Sequence, residues 1–390
     1  MSRMQPKTAV ITEKIPAFDL LRSIMVISLV AFHAAISFMV TEPDPEVWTY
    51  KSSSTNLFFD TLISTVHSFR HPLFFIISGF VTEQMYVRYS STEVIKKRLT
   101  RIGIPLLVII IFISPFIYGI MALINGQVDI YNLQVLFPAN DVLFGVSTTY
   151  GWFLYYLLLY NLIHLGLKRS FIKSEKLSEK STNTKFTLAL IILFILTFTS
   201  LYLWKENTLF GQYSLTPHIG SVGGYGLYYL FGIHFYRHHK LYFTNIKKFK
   251  WWFTIIGLIA LNTSFVFALN ELESGISAFD FDFPLMIIST CASILLSFGI
   301  LGLSLEYYLK PNKTISYISR HSYSIYLIHF PVLLLILLVI SKLNMNAFGS
   351  FAVIFSLTFF LTLILNEIRN RISQIIKFSS AKKSEPKTTL

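Results

Sequence analysis

The chain has 390 residues, of which 53% are hydrophobic and only 14% charged, with a mean hydropathy of +0.58. A soluble domain carries roughly 25% charged residues, so this composition excludes an ordinary soluble protein. The net charge of +13 does not imply nucleic acid, because the basic residues sit in short loops between apolar runs, where they set membrane topology.

Runs of about 20 apolar residues span the hydrocarbon core as helices. They predict an all-α, polytopic integral membrane protein with about ten transmembrane helices, near 17–40, 62–87, 102–124, 150–167, 186–204, 219–236, 251–270, 283–305, 321–341 and 346–368. Residues 1–16 read as a cytoplasmic head, 17–370 as one membrane domain and 371–390 as a basic, disordered cytoplasmic tail. The sixth span carries Gly220, Gly223, Gly224 and Gly226, so it is expected to bend or to pack closely on a neighbour. With the N-terminus inside, Lys51, Lys205 and Lys342 are the basic residues of the outer segments. Arg22 and Arg70 fall within spans, and every other Lys and Arg lies on an inner segment. That asymmetry puts both termini in the cytoplasm. Cys291 has no second cysteine to pair with, and neither HExxH spacing nor grouped cysteines suggest a metal.

Ionisable residues inside a membrane are costly and therefore informative. Span 1 holds Asp19, Arg22 and His33. Arg22 and His33 are eleven residues apart, which returns a helix to within about 20° of its start and separates them by about 16 Å along the axis. Arg22 then lies near the cytoplasmic end, within reach of Asp19, and His33 in the outer half. Either residue has a plainer reading, Arg22 as a snorkelling anchor and His33 as a helix-packing hydrogen bond. Span 2 descends from the outside with His67, Arg70, His71, Pro72, Ser78 and Gly79. His67 and Ser78 share a face, and His67 and Arg70 sit near the depth of His33. The next inner loop ends with Arg98 and Arg101, one α-helical turn apart. They suit either a phosphate, through bidentate guanidinium contacts, or simple positive-inside anchoring. Trp152 opens span 4 at the outer surface. Tyr326 and His329 share a face of span 9, where His329 could orient a substrate or move a proton.

Two polar levels result. An inner one (Asp19, Arg22, Arg98, Arg101) suits an anionic, phosphate-bearing group, and an outer one (His33, His67, Arg70) offers a base and a cation. A long donor with a charged head and a reactive tip, such as an acyl-CoA, could bridge them. Buried charges and broken helices also suit a proton-coupled transporter, although no repeat symmetry supports it.

Arg22-x10-His33, the FFIISG segment at 74–79, Arg98-x2-Arg101 and SYSIYLIHFP at 322–331, in this order and spacing, resemble bacterial membrane acyltransferase family 3. VHSFRHPLFFIISGF and RLTRIGIP are similar to the branch that succinylates periplasmic glucans (the glucan biosynthesis protein C branch). That branch has HLWFL where this chain has Gly151 before Trp152. The resemblance implies an enzyme of the bacterial inner membrane that moves an acetyl or succinyl group from cytoplasmic acyl-CoA to a hydroxyl of an extracytoplasmic glycan. It implies His33 as the catalytic histidine, and a role for Arg22. The expected assignment is then His33, Arg70 and His67 in catalysis, and Arg22, Arg98, Arg101, Asp19 and Ser78 toward the donor. Trp152, Tyr326 and His329 would orient substrate, with no permanently bound cofactor and no metal.

Overall fold

The structure is a computed structural model that describes residues 15–43, 48–126, 147–171, 183–207, 209, 215–216, 218–273 and 282–383. Most of the expected cytoplasmic head and the last seven residues of the tail lie outside that set. Among the described residues the chain is helical: α1 (Pro16–Ala35), α2 (Leu57–Arg88), α3 (Ser91–Ile124), α4 (Trp152–Phe171), α5 (Asn183–Trp204), α6 (Ile219–Arg237), α7 (His239–Glu273), α8 (Phe283–Tyr307), α9 (Lys313–Ile340) and α10 (Ala347–Lys383). Seven are long and apolar enough to cross a membrane, namely α1, α3, α5, α7, α8, α9 and α10. The other three, α2, α4 and α6, carry the histidines, tyrosines and glycines that lower their hydropathy. α10 continues to Lys383 where a disordered tail is expected from 371, because ILNEIRNRISQII keeps apolar residues at helical spacing.

Local chemistry accounts for the helix ends. α3 starts on a capping box, with the Ser90 side chain accepting from Glu93 N–H and Glu93 reaching back to Ser90 N–H. α8 starts on Asp282, whose carboxylate accepts from Leu285 N–H, with Pro284 in its first turn. α3 is irregular inside, with π-helical turns at Leu99–Gly103 and Ile109–Ile113.

Two compact units are distinguished. Unit 1 is Met1–Leu21, His67–Leu107 and Gly151–Asn312; unit 2 is Arg22–Val66, Val108–Tyr150 and Lys313–Leu390. In unit 1, α2 and α6 cross at two glycines. A Cβ on Gly79 would stand 2.0 Å from the Tyr229 carbonyl oxygen, and one on Gly232 would stand 2.0 Å from that of Ile76. This is the close approach that small residues permit between membrane helices. α7 and α8 pack along Gly257, Gly299 and Gly302. Phe75, Phe153, Tyr160 and Tyr225 fill the space between α2, α4 and α6.

Unit 2 is built on Val26, Leu29, Val30 and Ile325, with Phe355, Phe359 and Leu363 of α10 packed against them. Buried Asp60 accepts hydrogen bonds from the backbone N–H of Val40 and Thr41 and from the Thr41 hydroxyl, at 2.6–3.0 Å. It thereby fixes the segment that follows α1.

Between α5 and α6, Glu206 and His218 meet at 2.8 Å. Burial pushes the Glu206 carboxyl up to about 7 and lowers the His218 imidazole. Both move toward their neutral forms, so desolvation outweighs their attraction.

Gly79→Ala forces backbone atoms apart and destabilises by roughly 1–3 kcal/mol or more. Gly166→Ala, in α4 with nothing within 4 Å of the new methyl, is neutral or stabilises by up to about 1 kcal/mol. Thermal unfolding of the purified proteins separates the two. Glu206 has a folded pKa above its ordinary value of 4.5, so the stability it contributes is lost as pH rises from there through about 7. Melting curves between pH 5 and 8 should fall more for the wild type than for Glu206→Gln.

Candidate functional site

Unit 2 contains a pair of buried histidines. His33, on the last full turn of α1, is 8% exposed, and His329, in the middle of α9, is 0% exposed. His33 Nδ1 and His329 Nε2 are 2.9 Å apart. On its other side, His329 Nδ1 faces the carbonyl oxygens of Tyr326 at 2.7 Å and Ile325 at 3.2 Å. A carbonyl oxygen only accepts, so His329 Nδ1 carries the proton. In neutral His329 the lone pair is then on Nε2, where it accepts the His33 Nδ1–H. This fixes the tautomer of His33 and leaves its own lone pair on Nε2, the atom a base or nucleophile would use.

The surroundings of the pair are aromatic and held by backbone groups. Pro331 lacks an N–H, so the Leu327 carbonyl one turn earlier loses its helical donor. The Tyr150 hydroxyl supplies it at 2.6 Å, and the Tyr326 hydroxyl donates to the Tyr150 carbonyl at 2.8 Å. Tyr150 stacks on Phe330 at 5.2 Å, and Phe330 packs edge-on to His33 at 4.9 Å. The segment presenting Tyr150 is strained, since Thr149 has φ of +42°, a region that a β-branched residue rarely enters. Thr149 N–H donates to Ser147 Oγ, and Ser114 Oγ contacts both the Ser147 carbonyl and Thr149 Oγ1 at 2.9–3.0 Å. Strain of this kind costs of order 1–3 kcal/mol and gathers at functional sites.

Unit 1 holds a second set. Arg70 is buried, with Nη2 3.1 Å from His71 Nε2. His71 packs edge-on to Trp152, and Trp152 stacks on Tyr225. His67 Nε2 donates to the Leu209 carbonyl at 2.8 Å, which also accepts from the Tyr225 hydroxyl at 2.7 Å. His67 thus ties down the chain between α5 and α6. A small cavity beside it is lined by polar side chains, among them Ser68, Thr197 and Ser293, and by the apolar Pro72, Leu201 and Leu209.

At the C-terminal end of α2, Thr82 Oγ1 accepts from Arg98 Nη2 at 2.6 Å, and buried Glu83 binds His164 Nε2 and Arg237 Nε, each at 2.9 Å. Arg98 and Arg101 stand in different surroundings. A π-helical turn begins at Leu99 and takes in Arg101, with a wider i→i+5 winding than the α-helix before it. Arg98 is half-buried toward Thr82, whereas Arg101 is exposed.

The structure therefore joins His33, His329 and Tyr326 in unit 2, and Arg70 with Trp152 in unit 1. His67, Arg98 and Arg101 also belong to unit 1. Asp19 is buried in unit 1, Arg22 is half-buried in unit 2, and Ser78 is half-buried on α2. His164, Tyr150 and the role of Arg237 escape the sequence reading. His164 carries the same signal as His33, an ionisable residue in an apolar run, while Tyr150 and Arg237 show no such signal.

A family profile described as an acyltransferase domain, of the acyltransferase 3 type, matches residues 15–367. "Glucans biosynthesis protein C" of Escherichia coli O139:H28 is 21% identical over 329 residues, covering 81% of each chain. The protein of that name from Escherichia coli strain K12 is 23% identical over 195 residues, covering 50% of this chain and 49% of its own. No solved structure matches the chain. The chain belongs to the acyltransferase 3 family, and it is a membrane acyltransferase.

Proposed function

We propose that the enzyme moves an acetyl or succinyl group from cytoplasmic acyl-CoA to a hydroxyl of an extracytoplasmic glycan or glycolipid. In this reading the chain crosses the bacterial inner membrane ten times with both ends in the cytoplasm. The basic residues of the inner loops support that orientation, and the names of the Escherichia coli relatives support a glucan acceptor.

The observation that carries the chemistry is the His33–His329 pair. With the His33 lone pair on Nε2, an acceptor O–H delivers its proton there as its oxygen attacks the thioester carbon. The C–O bond forms, the C–S bond breaks, and the proton passes from His33 to the departing thiolate. Transfer through an acyl-His33 intermediate uses the same atom. His329 holds the tautomer and, by accepting the His33 Nδ1–H, stabilises the positive charge that develops, from the position that the carboxylate occupies in a Ser-His-Asp triad. Arg70 supplies a buried cation for the oxyanion or for a succinyl carboxylate, with His67 and Trp152 keeping its surroundings in place. Arg98, Arg101 and Arg22 serve the donor's phosphates, with Asp19 one turn from Arg22 on α1 and Ser78 on α2.

His33→Ala should lower kcat by about 10²- to 10⁴-fold while the protein purifies and melts like the wild type. His329→Ala should lower kcat and shift the pH–rate profile. His329→Gln, whose amide oxygen can still accept from His33 Nδ1–H, should recover part of the loss. Transfer of radiolabelled acyl groups to membrane glycans reads all three, and full activity in His33→Ala overturns the mechanism. Reporter fusions in the 41–60 loop should register outside the cytoplasm; an inside signal would reverse the donor and acceptor ends.

A further inference from the structure

We propose that Arg237 is a phosphate-binding residue of the donor site, aligned by Glu83 and His164, and that it takes the phosphate lying furthest from the thioester. This rests on the proposed use of acyl-CoA.

The end of α2 grips two guanidinium groups from consecutive residues. Thr82 holds Arg98 of α3, and Glu83 holds Arg237 of α6. The support behind them is buried and saturated. Thr82 Oγ1 donates to Asn161 Oδ1 at 3.4 Å, and Asn161 is fixed by the Leu157 carbonyl. His164 Nε2–H donates to Glu83 Oε2, its Nδ1 faces the Tyr229 hydroxyl at 3.4 Å, and the Tyr86 ring packs edge-on against it. Glu83 and His164 are 6% and 3% exposed. A carboxylate held this way does more than balance a loop charge, because it fixes the plane of the Arg237 guanidinium through Nε.

That plane is what a ligand would meet. The Arg237 side chain is 42% exposed and gives its Nε to Glu83, so the end-on edge formed by its two terminal nitrogens is not used by that bond. This is the fork that binds phosphate oxygens. Arg98 Nε is buried without a hydrogen-bond partner, so the charge of this guanidinium is only partly compensated by Thr82. Two guanidinium groups, Arg98 and Arg237, are thus held by adjacent residues of α2, an arrangement that suits an anion with more than one charged centre.

The order of the two arginines follows from their depth. Arg98 is half-buried and partnered by a neutral hydroxyl, so it meets the phosphates nearer the membrane-directed acyl end. Arg237 is the more open of the two and meets the terminal one, the ribose 3′-phosphate of a coenzyme A ester. Anionic lipid headgroups carry the same chemistry, and the experiment separates them.

The full-length enzyme in nanodiscs is assayed with acyl-CoA and with its 3′-dephospho analogue. The wild type should prefer acyl-CoA. Arg237→Ala should raise KM for acyl-CoA roughly 10- to 100-fold, the loss of one charge-assisted contact, with kcat within about twofold as expected for lost uniform binding. KM for the analogue should not change. Arg237→Lys should restore part of the preference, and Glu83→Gln should weaken it without changing kcat. The inference is overturned if Arg237→Ala keeps the preference, if Arg101→Ala erases it instead, or if Arg237→Ala alters only the response to phosphatidylglycerol content. A wild type that neither binds nor turns over acyl-CoA overturns the proposed function as well, which is a distinct result.

Discussion

A polar group that leaves water for a bilayer must find its partner inside the protein. That constraint organises this molecule. The Leu327 carbonyl, deprived of a donor by Pro331, receives the Tyr150 hydroxyl. Asp60 gathers three donors from the segment after α1. Glu83 takes both a histidine and an arginine, and His329 passes the polarity of two backbone carbonyls to His33. Except at Asp60, which fixes a connecting segment, the partner fixes a side chain that the proposed chemistry uses or that stands next to one that does. The same demand that makes the fold permissible in lipid therefore preorganises the site.

The constraint also explains the distribution of apolarity. α2, α4 and α6 fall short of the hydropathy of the other helices, yet they pack on one another through the Gly79–Gly232 crossing, the Phe75–Tyr225 stack and the Tyr160 hydroxyl on the Val222 carbonyl. Helices that bury their polar residues against each other need little apolar surface. Gly220, Gly223, Gly224 and Gly226 face Trp204, Ser200, Leu209 and Tyr160, and it is Gly232 that lets α2 approach α6.

Much of this was legible in the sequence and some was not. Hydropathy located the helices, as with the expected span at 219–236 and the helix Ile219–Arg237, because length and apolarity are local properties. The intramembrane charge rule found His33, His67, Arg70 and His329, each an exception to its surroundings. What joins them was beyond reach, since His33 and His329 are 296 residues apart and no periodicity links α1 to α9. Arg98 and Arg101 read alike in the sequence, and only the structure separates their surroundings, one half-buried and the other exposed on the π-helical turn Leu99–Gly103. Arg237 read as a topology residue because its partner, Glu83, lies on a helix far away in sequence.

That last separation has a consequence for biosynthesis. Glu83 and Arg237 are 154 residues apart, and chain elongation at roughly 5–20 residues per second puts about 8–30 s between them. During that interval α2 has emerged, while the cation that neutralises its carboxylate has not been made. The nascent helix must keep Glu83 protonated, hold it at the headgroup level or remain beside the insertion machinery until α4 brings His164 and α6 brings Arg237. The ion pair that ties α2 to α6 is thus completed only once α6 has been made.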